Sequence, residues 1–160
     1  PITNDAETEK ILKTIGYEVE ENLDLITSNP VSYLRNAAKV VKKRLELSIE
    51  MAERFDWNLF WVTFTTLDHV QHFFWNSIFN NRCNNRLKDD IIAYFKTLDL
   101  AVSQMERIAD RFNALLMIVS DHGFNALKYD FYINNWLVRI GMLSCTQTCN
   151  PLFILEKNLF

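Results

Sequence analysis

Two short runs constrain this chain most: Leu59-Phe60-Trp61-Val62-Thr63-Phe64 and Leu115-Leu116-Met117-Ile118-Val119. Each is nearly all apolar and bounded by polar residues. A run with no polar face fits a strand covered on both sides, as in a parallel sheet. Each run also follows a long helical pattern. Leu34, Ala38, Val41, Leu45, Ser48, Ala52 and Phe55 alternate at steps of four and three, and Val40, Leu47 and Met51 widen the stripe. Ile91, Phe95, Leu98, Val102, Met105, Ala109 and Phe112 repeat the rhythm. Such spacing buries one face of a helix. Strands alternating with helices predict an α/β fold: one domain over residues 1–160, holding part of a mostly parallel sheet flanked by helices.

Local signals fill in the rest. Residues 5–15 read as a helix ended by Gly16, and residues 17–28 as a short extended piece and a loop. Asn29 followed by Pro30 is a helix start, with a capping side chain and then proline at the first helical position. Residues 70–79 read as helix and Asn80 to Asn85 as a polar loop. Ile133, Trp136, Leu137 and Ile140 predict a short helix stopped by Gly141.

Composition excludes several classes. The net charge of −3 leaves no broad basic surface for a nucleic-acid polymer. Lys39, Lys42, Lys43 and Arg44 read as a solvated helix face. No apolar run is long enough to span a bilayer, so no membrane partner is expected. Cys83, Cys145 and Cys149 are odd in number and form no CxxC, which predicts reduced thiols in a cytoplasmic protein. The chain opens at Pro1 and ends in the apolar run Leu152 to Leu155 followed by Phe160, and is expected to be a piece of a longer protein.

The chemistry gathers just past the two apolar runs. The first leads into Thr65-Thr66-Leu67-Asp68-His69-Val70-Gln71-His72, the second into Ser120-Asp121-His122-Gly123. In open α/β sheets, ligands bind outside the carboxyl ends of the strands. Asp and His suit zinc or manganese. Asp68 and His72 are four apart, so in a helix both project from one face. Asp121 and His122 are adjacent, and a turning backbone, freed by Gly123, could aim both at one ion. Either pair alone is more readily structural, a helix cap, a solvent-facing residue or a loop; their equivalent positions after two buried strands favour a metal site. His69 reads as solvent-facing or as support for a ligand. Thr65 and Thr66 could bond substrate or close the strand, and Phe73, Phe74 and Trp75 could wall a pocket or pack beneath the sheet.

Taken together, Thr-Thr-Leu-Asp-His-Val-Gln-His-Phe-Phe-Trp at 65–75 and Ser-Asp-His-Gly-Phe at 120–124 resemble the alkaline phosphatase superfamily. Within it the chain is most similar to the type I phosphodiesterase/nucleotide pyrophosphatase family, in its prokaryotic, archaeal-type form. Lys128-Tyr129-Asp130-Phe131-Tyr132-Ile133-Asn134-Asn135-Trp136-Leu137 adds to the resemblance, which is clearest over residues 53–143. It implies an incomplete alkaline-phosphatase-like core holding two divalent ions, zinc or manganese. Asp68 and His72 match the ligands of the first ion, Asp121 and His122 those of the second. The implied substrate is a small phosphodiester or nucleotide, attacked by a threonine or serine in the family.

The chain also departs from the pattern. No strand-Asp segment precedes residue 56 and no histidine follows His122, so the nucleophile and the remaining ligands are expected outside this chain. It reads as the middle-to-late portion of a catalytic domain, inactive by itself. An excised part of a sheet would expose strand edges and apolar faces, so self-association is expected. Two other readings stay open: another superfamily enzyme, such as a phosphomutase, sulfatase or phosphonate hydrolase, and a non-catalytic α/β binding or degenerate module.

Overall fold

The computed structural model describes residues 3–79, 85–126, 129–144 and 154–155. The three cysteines, Asn80 to Asn84 of the polar loop, Lys128, and Leu152 and Phe160 of the apolar end lie outside the described residues. The chain divides into two compact units, Pro1–His122 and Gly123–Phe160.

The first unit is helical. Helix α1 spans Ala6–Ile15, with Asp5 accepting from the Thr8 amide at its start and Gly16 in the left-handed conformation, φ 60°, at its end. Glycine suits that cap because it has no Cβ to strain there. Helix α2 is the single turn Leu25–Ser28. Helix α3, Pro30–Arg54, begins as the Asn-Pro pair predicts, with the Asn29 side chain accepting from the Ser32 amide at 3.0 Å. Helix α4 spans Thr66–Phe79 and helix α5 Asn85–Arg111. Helix α3 is the hub, touching α1, α2, α4 and α5.

The core lies where these helices meet. Tyr33, Leu34, Ala37 and Val41 of α3 pack with Val70 and Phe74 of α4 and with Ile91, Tyr94 and Ala101 of α5. The rings of Tyr33 and Phe74 stack 5.8 Å apart at 18°. Both long helices bury a face slightly rotated from the predicted stripe. In α3 it takes in Tyr33, Ala37 and Val40, while Phe55 is exposed. In α5 the buried face runs through Tyr94, Ala101 and Ile108, and Phe112 is exposed. Two amphiphilic tyrosines cause much of the difference: each buries its ring and sends its hydroxyl to a polar partner, a choice that apolar spacing does not record.

Among the described residues the predicted parallel sheet is absent. Residues 59–64 and 115–119 form neither helix nor paired strand. Leu59 and Trp61 are 78 % and 70 % exposed, and Leu115 is 88 % exposed. The only strand pairing among the described residues is in the second unit, where β1 (Asp130–Phe131) runs antiparallel to β2 (Ile154–Leu155), with Asp130 opposite Leu155. The α/β expectation is therefore corrected: the described residues form an α-helical unit carrying two unpaired apolar segments. The physical reason is that a strand is stable only when its backbone groups find a neighbour's. An apolar run signals the wish for a covered strand but supplies no partner.

The second unit also holds helix α6, Ile133–Arg139, followed by Gly141 at φ 74°. The ring of Trp136 lies 6.2 Å from that of Phe131. No helix among the described residues is long and apolar enough to cross a membrane.

Candidate metal-binding pairs

Helix α4 starts earlier than the sequence pattern indicates, at Thr66, and so Asp68 and His72 both lie within it. The Asp68 amide donates to the Thr65 carbonyl at 3.1 Å, closing the first turn. A carboxylate there is favoured by the amides and dipole of a helix N-terminus. Asp68 Oδ2 and His72 Nε2 lie 3.5 Å apart, both on the outer side of the helix with 45 % and 58 % of their side chains exposed. The i, i+4 expectation for this pair is met in its geometry.

Asp121 and His122 close the first unit. Asp121 Oδ2 and His122 Nε2 are also 3.5 Å apart and exposed. Their turn is held from within: the Ser120 hydroxyl donates to the His122 carbonyl at 2.6 Å, and the His122 amide donates to Asp121 Oδ1 at 3.1 Å. Gly123 has no positive φ, so the glycine freedom expected there is not used.

A separation of 3.5 Å is long for a hydrogen bond. It is close to the distance between two donors of a tetrahedral ion, about 3.4 Å for bonds of about 2.1 Å. The separation within each pair matches the spacing of two adjacent corners of such a site. Among the described residues no group of three or more His, Cys, Asp or Glu side chains is gathered for an ion. The fold thus presents two donor pairs and does not join them into one cluster. A shallow cleft of about 360 Å³ lies elsewhere, lined by Ser77, Ile78, Ile91, Phe95 and Lys96 among others; none of the four candidate ligands lines it.

Several residues beside the first pair have partners within the fold. Thr66 is buried and its hydroxyl shares a 2.9 Å hydrogen bond with Tyr94. Thr65 Oγ1 accepts from Arg44 at 3.0 Å. Phe74 is buried in the core, while Trp75 packs against Phe79 with ring centres 4.4 Å apart. His69 is turned inward: its Nδ1 lies 2.6 Å from Glu21 Oε1.

Two residues organise this region: Arg44, expected on a solvated helix face, and Glu21, which no pattern singles out. Arg44 sits in a basic run whose Lys39 and Lys43 do pair at the surface, with Glu18 and Glu46. Arg44 instead donates to the Val19 carbonyl at 2.6 Å, to the Thr63 carbonyl at 2.8 Å and to Thr65, and its Nε lies 3.3 Å from the Tyr17 hydroxyl. It ties the 17–22 segment and the approach to α4 onto α3. Glu21 has only 1 % of its side chain exposed. Its Oε1 also accepts from the Tyr33 hydroxyl at 3.1 Å. No spacing rule flags either residue, because their partners are distant in sequence.

A family model described as Type I phosphodiesterase / nucleotide pyrophosphatase matches residues 9–155. No curated protein and no solved structure gives a significant match.

Proposed function

Because the chain belongs to the type I phosphodiesterase/nucleotide pyrophosphatase family, we propose that it serves metal-dependent hydrolysis of small phosphodiesters or nucleotides through Asp68, His72, Asp121 and His122. The family acts generally as phosphodiesterases and pyrophosphatases. The observation that carries the reading to this chain is the repeated spacing: two carboxylate–imidazole pairs, each with donors 3.5 Å apart.

In this reading Asp68 and His72 hold one ion and Asp121 and His122 the other, zinc or, by the same ligand chemistry, manganese. Two such ions, when bound, supply Lewis-acid polarisation of the phosphoryl group and charge stabilisation for the entering and leaving oxygens. The chain's own part is to present the donors. The first two turns of α4 orient Asp68 and His72. The Ser120 to His122 turn orients the second pair. Neither Thr65 nor Thr66 is nominated as nucleophile, since neither matches the family's nucleophile position, and the Thr66 hydroxyl is buried against Tyr94.

The full-length protein should cleave bis-p-nitrophenyl phosphate, lose that activity to a chelator and regain it with zinc or manganese. Asp121→Asn should lower turnover by about 100-fold or more, as expected when a ligand of a catalytic ion is weakened. Turnover indifferent to chelator, or an undiminished Asp121→Asn variant, would sink the reading.

A second reading is a non-catalytic module of the same family. It is favoured by the lack of any third donor beside either pair among the described residues. Elemental analysis of the purified full-length protein separates the two: about two ions per chain supports the enzyme, and none supports the module.

A further inference from the structure

A buried carboxylate needs a reason, since taking its charge out of water is costly unless it is well bonded. Glu21 lies in the segment between α1 and α2, with its side chain 1 % exposed. Oε1 receives two contacts, from the Tyr33 hydroxyl and from His69 Nδ1, whereas Oε2 has no hydrogen-bond partner among the described residues. Burial, and then the charge of Glu21 itself, push the Tyr33 hydroxyl well above the usual tyrosine range, so it stays a donor. With Glu21 as a carboxylate, its oxygen accepts and His69 meets it with its Nδ1–H.

His69 stands one residue from Asp68 and three from His72, on the same helix. Its bond reaches from α4 across to a segment that Arg44 holds on α3. The contact therefore resists rotation of α4 about its own axis at the level of the donor pair. Rotation matters there: a carboxylate about 6 Å from the axis moves by about 2 Å for a turn of about 20°, as much as a metal–ligand bond is long. We propose that Glu21 is a positioning residue for the Asp68–His72 pair, acting through His69 to fix the rotation of the first turn of α4. This rests on the reading of Asp68 and His72 as ligands.

The test measures zinc affinity of the full-length protein by competition with a chromophoric chelator, alongside thermal melts. His69→Ala should weaken zinc binding by about tenfold, and His69→Asn, whose amide N–H replaces Nδ1–H, should restore it to within about threefold of the parent, the scale seen for outer residues that orient ligands. In ring 15N spectra of the metal-free protein, His69 should show a protonated Nδ1 and lose that single tautomer in Glu21→Gln. If Asp68→Ala binds zinc as the parent does, the ligand reading falls and the proposal with it. If Asp68→Ala loses zinc while His69→Ala keeps it, only the positioning role falls. Should His69→Ala fail to fold, Glu21→Gln decides: unchanged zinc affinity and unchanged ring shifts overturn the proposal.

Discussion

Tyr33 and Tyr94 end in the same buried region, one hydroxyl on Glu21 and the other on Thr66. Burial is the first cause that raises both above the ordinary value of 10.0, with the negative charge of Glu21 adding to it. The sign for stability follows. Below the ordinary tyrosine value both states keep the proton and the fold has its full strength. Above it the unfolded chain releases protons that the folded chain retains, so stability falls with rising pH. Of the five tyrosines in the chain, Tyr33 and Tyr94 are expected to ionise only as the helices melt. Parallel alkaline titrations by tyrosinate absorbance and far-UV circular dichroism check this. Smooth ionisation of both residues with the helical signal intact would count against it. At this scale the shared helix face of Asp68 and His72 is legible in the sequence, because i, i+4 spacing is a geometric property of one helix. Glu21 and Arg44 were not, because their roles come from residues brought near by packing.

Helices whose ends carry their own chemistry were also readable. Asn29 caps α3 through its side chain, and Gly16 ends α1 in the one conformation where glycine has the advantage. Asn29→Ala should therefore destabilise the first unit by about 1 kcal/mol. Urea melts should show a lower midpoint with an unchanged slope, and an unshifted midpoint would mean that the cap contributes nothing. The strands failed where the helices succeeded, and the cause is locality. A helix satisfies its backbone internally, whereas Leu59 to Phe64 and Leu115 to Val119 would need neighbours that the described residues do not provide. The aromatic Trp57 illustrates the intermediate case: it packs on Phe60 and Phe112 with ring centres 5.4 and 5.5 Å away, so the entrances to the two runs meet although the runs do not pair.

At the scale of the molecule, exposed Leu59, Trp61, Leu115, Met117 and Ile118 amount to far more apolar surface than scattered single residues. The chain in isolation is expected to self-associate. Light scattering across a dilution series should show a mass that rises with concentration, and a monomer at every concentration would contradict this.

The Thr66–Tyr94 hydrogen bond also sets a matter of reach. It marks where α5, running back along α4, passes the turn that carries Asp68. From Phe95 to Arg111 the helix travels on for about 26 Å at about 1.5 Å per residue. Phe112 to Ala114 fold back in the turn that ends α5, with the Ala114 amide donating to the Ala109 carbonyl, so the stretch that can be drawn out is Leu115 to Ser120, at most about 20 Å. A return of Asp121 toward the level of Asp68 would thus use the whole tether and leave no slack for a helical turn. If the two pairs serve one site, the hydrophobic run before Asp121 is a measured length of line, and its unwound form from 115 to 119 suits that length.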